Sequence, residues 1–176
     1  MLDIIFFTAR IVEFLQNVKS TGKLEISLDV LNNDALLKKL NESTIRVHTV
    51  EIQSTCKVDQ VLEKLSLPSS LEVLCINQNA LNFDEVFELV GCLSNVNNLH
   101  ELQLRHTKFK DSSFSTFLGS LHYCKDLTSL ILTDNSLTEQ EINRLITALL
   151  KSVKNLKTLN LSKCILTETQ ANAILH

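Results

Sequence analysis

The sequence predicts an α/β solenoid bent into a horseshoe arc, with a parallel sheet on the concave face and helices on the convex face. Two observations carry this. First, one spelling recurs: LEVLCINQNAL (Leu71–Leu81), LHELQLRHTKF (Leu99–Phe109), LTSLILTDNSL (Leu127–Leu137) and LKTLNLSKCIL (Leu156–Leu166), with a blurred copy VHTVEIQSTCKV (Val47–Val58). Second, the apolar spacing changes within each unit. The LxxLxL part alternates, which is strand periodicity. It is followed by Val86, Phe87, Leu89, Val90 and Leu93, by Phe114, Phe117, Leu118 and Leu121, and by Ile142, Leu145, Ile146, Leu149 and Leu150. Those are helical stripes.

Along the chain, Met1–Gly22 is expected as an N-terminal cap segment, with a helix over Ile11–Val18 ended near Gly22. Residues 23–176 are expected to form about six repeats, the first two degenerate and the last truncated. The first spans Lys23–Leu31, with Leu24 and Ile26 in the core and Ala35–Leu40 as its helix. Parallel strands are expected near Leu74–Ile76, Leu102–Leu104, Leu130–Leu132 and Leu159–Leu161. The last unit carries a short helix from about Glu168 to Leu175. Its Leu159, Leu161, Leu166, Ala171, Ile174 and Leu175 are expected to face the core with no further repeat over them. An uncovered end of this kind predicts self-association through the C-terminal repeat.

Repeat starts at Val47, Leu71, Leu99, Leu127 and Leu156 lie 24, 28, 28 and 29 residues apart. Spelling and period together resemble the leucine-rich repeat family, and the length resembles its ribonuclease-inhibitor-like subclass. The slot occupied by Thr55, Asn79, Thr107, Asn135 and Cys164 resembles that family's asparagine ladder. An inward amide there can bond backbone groups freed by the turn, which Thr or Cys would do only in part. The resemblance implies a non-catalytic scaffold that binds a protein partner.

Composition narrows the classes. Net charge is −3 with both signs interspersed, so neither a nucleic-acid surface nor an acidic tail is expected. No apolar run approaches a membrane span. Asp3, Arg10 and Glu13 break the apolar N-terminus, unlike a signal peptide. Five cysteines, an odd number with no CxxC pair, read as buried thiols in a reducing compartment, and a cytoplasmic location is expected. The chain's 13 Lys against 4 Arg, and its 15 Asn, suit an AT-rich genome. That bias resembles the repeat effectors which intracellular bacterial pathogens deliver into the host cytosol. The second provenance is a eukaryotic cytosolic regulatory module, an enzyme inhibitor or GTPase regulator.

The exposed face of the predicted sheet is set by columns of intervening residues. They read Glu51, Cys75, Gln103, Ile131, Asn160; then Gln53, Asn77, Arg105, Thr133, Ser162; then Ser54, Gln78, His106, Asp134, Lys163. At the strand start lie His48, Glu72, His100, Thr128 and Lys157. The candidate partner-binding patch is Asn77, Gln78, Gln103, Arg105, His106, Asp134 and Lys163, polar and of mixed sign. No catalytic residue, metal site or cofactor is assigned. His106 and Asp134 fall within bonding reach, but Gln78 stands where a triad would need its nucleophile. Cys75 and His100 sit in columns about 10 Å apart along the strand, too far for a dyad. His48, Glu72 and His100 could hold a metal only under strain. GTPase activators of the family carry a loop arginine and an acidic tail, whereas Arg105 is placed on a strand.

Overall fold

The computed structural model describes residues 3–4, 20–26, 34, 37–38, 41, 46–52, 56–64, 67, 69–77, 80–110, 112–164 and 167–175. Its strands are β1 (Asp3–Ile4), β2 (Ser20–Ile26), β3 (Arg46–Ile52), β4 (Val73–Asn77), β5 (Ala80–Leu81), β6 (Glu101–Arg105), β7 (Lys108–Phe109), β8 (Ser129–Ile131) and β9 (Thr158–Asn160). Its helices are α1 (Val58–Lys64), α2 (Phe83–Leu93), α3 (Ser113–Ser120), α4 (Glu139–Ser152) and α5 (Glu168–Leu175), with a 3₁₀ turn at Leu121–Tyr123. The order β1-β2-β3-β4-β6-β8-β9 makes one parallel sheet of seven strands, while β5 and β7 pair separately. Each successive helix packs on the next, α1 on α2 through α4 on α5.

The template sets the register. Val50, Leu74, Leu102, Leu130 and Leu159 stand opposite one another across five strands. Val50, Leu74, Leu102 and Leu130 are fully buried, as are Ile52, Ile76, Leu104 and Leu132. Leu161 is buried and Leu159 half-buried. The middle of the core is aromatic: Phe109, Phe114 and Phe117 meet with ring centroids 4.9 to 6.1 Å apart. Such contacts add to area burial.

The turn after each strand is held by the slot residue, in a way that follows from its donor count. Asn135 Nδ2 donates to Leu104 O of the preceding unit at 2.7 Å and to Thr133 O of its own unit at 3.3 Å. Thr107 Oγ1 reaches only its own unit, at Arg105 O (3.3 Å). Cys164 Sγ reaches only the preceding one, at Leu132 O (3.3 Å). Two amide hydrogens bridge both units, and one hydroxyl or thiol hydrogen must choose. Thr55 and Asn79 lie outside the described residues.

Helix starts are also legible. Asn82 and Glu85 form a reciprocal capping box on α2, and Thr138 and Glu141 form one on α4. Thr167 and Gln170 repeat the exchange on α5, at 2.9 and 3.3 Å. Gln170 then spans to Glu139 O at 3.0 Å, tying α5 to α4.

Several expectations are corrected. Gly22, expected near a helix C-cap, lies inside β2, whose Ser20 already pairs with Arg46. Asp3–Ile4 pairs in parallel with Lys23–Leu24, so sheet precedes the first expected repeat. Leu24 and Ile26 align with Val50 and Ile52, as their core columns require. The helix expected over Ile11–Val18 lies outside the described residues. For the Ala35–Leu40 helix, Leu37 is helical and buried. Phe87 and Leu150, placed in apolar stripes, are 61% and 71% exposed. Each follows a buried residue, Val86 or Leu149, and one residue further rotates it by about 100° off the buried face. In the last unit Leu166 lies outside the described residues.

Candidate functional site

The alternation that buries one set of side chains leaves the other set on the open face of the sheet. Register confirms the column Glu51, Cys75, Gln103, Ile131, Asn160. Asn77 faces Arg105 in the next. The strand-start residues form a backbone ladder: Glu72 N–H donates to His48 O, His100 to Glu72, Thr128 to His100 and Lys157 to Thr128, each at 2.8 Å.

Asn77, Gln103 and Arg105 therefore sit on strands. Asn77 Nδ2 donates to Glu51 Oε1 at 2.8 Å, across the β3–β4 step. Gln103 Nε2 donates to Glu101 Oε1 along its own strand. Arg105 is exposed, and no carboxylate lies within ion-pair distance of it among the described residues. Gln78 lies outside the described residues.

His106, Asp134 and Lys163 were expected on strands, but each follows one, in a turn. All three adopt the left-handed conformation, with φ of 50°, 59° and 63°. The region usually favours glycine, and Asp tolerates it better than Lys does. The turn nevertheless continues the sheet's bonding. His106 N–H donates to Thr133 O and Asp134 N–H to Ser162 O, both at 3.0 Å. The three side chains then line up: Asp134 Oδ2 lies 3.4 Å from His106 Nε2 and 2.9 Å from Lys163 Nζ. One carboxylate thus ties three successive units along the rim of the face. Lys163 is 70% exposed and Asp134 22%. This pairing orients the side chains more than it stabilises the fold.

The centre of the face is less polar than its rim. Ile131 and Val73 are half-buried there, and Cys75 is buried rather than exposed. Cys75 is short and stands in register between the longer Glu51 and Gln103. Ile131 was a column member in the sequence without being singled out. The signal that finds it is an apolar residue at an outward position of an alternating strand.

At the strand start His48 Nδ1 meets Glu72 Oε1 at 3.0 Å. Among the described residues no group of three His, Cys, Asp or Glu is arranged to hold a metal ion. Cys92 and Cys124 thiols are pushed up to about 11, both by burial first and Cys92 also by the Glu88 carboxylate. Burial likewise raises Cys164, with its bond from the Asn135 backbone pulling the other way. These shifts suppress the thiolate. No helix among the described residues is long and apolar enough to cross a membrane.

No protein-family model and no curated protein matches the chain. Among solved structures, an internalin of Listeria monocytogenes is similar over 84% of this chain at 18% identity, with a TM-score of 0.44. The chain spans 43% of the internalin's length.

Proposed function

We propose that this chain is a leucine-rich repeat protein, an arc whose sheet lines the concave side, and that it is a non-catalytic scaffold binding a protein partner through that face. The observation that supports this most is the patch itself. Half-buried Ile131 stands opposite Gln103, and further along the same two strands come Arg105 and the turns that carry the His106–Asp134–Lys163 row. An apolar centre with a mixed-sign polar rim is the composition of a protein interface. Paired rim charges suit a partner carrying both signs, and a polyanion would meet Asp134 unfavourably.

Catalysis is not part of the reading. Asp134 is shared between His106 and Lys163, and the raised thiols are poor nucleophiles at neutral pH. We place the protein in a cytosol, that of a host cell if it is a delivered effector, on its five free cysteines and its Lys and Asn bias.

Pull-down from eukaryotic cell lysate with wild type and an Arg105→Glu/Asp134→Lys variant tests this. The expected result is one saturable partner, lost in the variant with its circular dichroism spectrum unchanged. Equal capture by the variant would remove the face from the interface. Product release from a small-substrate panel would instead make the protein an enzyme.

A further inference from the structure

A second surface lies on the helical side of the molecule. Between α3 and α4 runs an open groove of about 580 Å³. Its floor includes Leu118, and its walls carry Arg144, Lys151, Ser115 and Thr147, with His122 at one side. Among the described residues no carboxylate lines it, although the chain's net charge is −3. Arg144 is held in place by a neutral partner: its Nη1 donates to Ser115 Oγ at 3.2 Å, from one helix to the other. Neither Arg144 nor Lys151 has a carboxylate within ion-pair distance among the described residues. On the open face, by contrast, Lys163 is already paired with Asp134.

We propose that this groove is a second docking site, for an extended acidic segment of a protein partner whose carboxylates pair with Arg144 and Lys151. Seven residues of helix separate the two cations by about 10 Å along the axis. An extended peptide turns every second side chain to one face, so residues four apart present both side chains to the groove about 13 Å apart, within reach of the two long cationic side chains. Two acidic side chains about four residues apart, with an apolar residue midway between them over Leu118, would match charge and floor together. The overall negative charge of the chain disfavours a nucleic acid, which draws its affinity from a broad positive field.

The probe is a short fluorescein-labelled peptide of Ser and Leu carrying two Glu about four residues apart with Leu midway between them. Polarisation with the full chain at low salt should show saturable binding. Replacing both Glu by Gln in the peptide should weaken it roughly tenfold, as should Arg144→Glu/Lys151→Glu in the protein. Arg144→Gln/Lys151→Gln, which removes charge without reversing it, should give an intermediate loss, and all variants should keep the wild-type melting curve. Equal binding of the Gln peptide, or no effect of the charge-reversal variant, would overturn the proposal. So would tighter binding of a uridine oligonucleotide that is lost in the same variant, which would assign the groove to nucleic acid.

Discussion

Asn135 shows how one residue can link two repeats. It is 2% exposed, and its amide donates to carbonyls of its own and the preceding unit. Asn135→Ala leaves Leu104 O without that donor, and should cost about 1–3 kcal/mol. The lower half of that range is expected, because Asn135 Oδ1 is itself buried and has no hydrogen-bond partner among the described residues, so its removal returns something. A denaturant midpoint equal to wild type would contradict the bridge. The left-handed row makes a separate prediction. His106 has φ of 50°, which β-branched side chains adopt with strain. His106→Val should destabilise by about 1–2 kcal/mol, whereas His106→Gly should stay within about 0.5 kcal/mol of wild type. Denaturant midpoints of the two variants check both. The left-handed conformation of this row was invisible in the sequence, because His, Asp and Lys occupy positions where glycine would have signalled it.

At the scale of elements, strand and helix were legible wherever the leucines recur. Outward residues aligned in columns because one template fixes both register and face. The helices were broader in the sequence than in the fold, as exposed Phe87 and Leu150 show. Apolar spacing reports helix formation, but only packing decides how wide a stripe is covered. The earliest strands were missed in part. Asp3–Ile4 lacks the repeat spelling, and β2 begins at Ser20 with polar residues and a glycine that read as a stop. A link between units also went unread: Asn98 donates to Ser69 O and Asn155 to Lys125 O, each from just before the first leucine of its template. Capping gives a contrast that tests the element level. Asn82 caps α2 through Glu85 N–H, whereas Ser112 makes no side-chain cap bond on α3. Asn82→Ala should cost about 1 kcal/mol and Ser112→Ala close to nothing, read as shifts in melting temperature. Gly91 lies in α2 with open space where a Cβ would stand. Gly91→Ala should therefore stabilise by about 0.5–1 kcal/mol.

At the scale of the whole molecule, half-buried Cys92 and buried Cys124 predict a loss of stability at alkaline pH. Cys92 and Cys124 have folded values raised from 9.0 to about 11. The folded state holds those protons more tightly than the unfolded chain. Stability is thus full below about pH 9, and falls as pH rises from there through about 11. Urea melts between pH 8 and 11 should show that decline, and Cys92→Ser/Cys124→Ser should flatten it. The proposed partner-binding face reaches the same scale, since its described residues come from β4, β6 and β8 and from the turns after β6, β8 and β9. The columns were legible in the sequence, but neither the half-burial of Ile131 nor the sharing of Asp134 between His106 and Lys163 was, because both depend on side-chain packing across units.

The central claim is that a partner covers the open face of the sheet. Lysine labelling of the free chain and of the captured complex tests it most directly. Lys163, 70% exposed in the free chain, should lose reactivity in the complex, while Lys154, exposed beyond the end of α4, should keep it. Lys163 reacting equally in both states, with protection confined to lysines of the helical side, would contradict it.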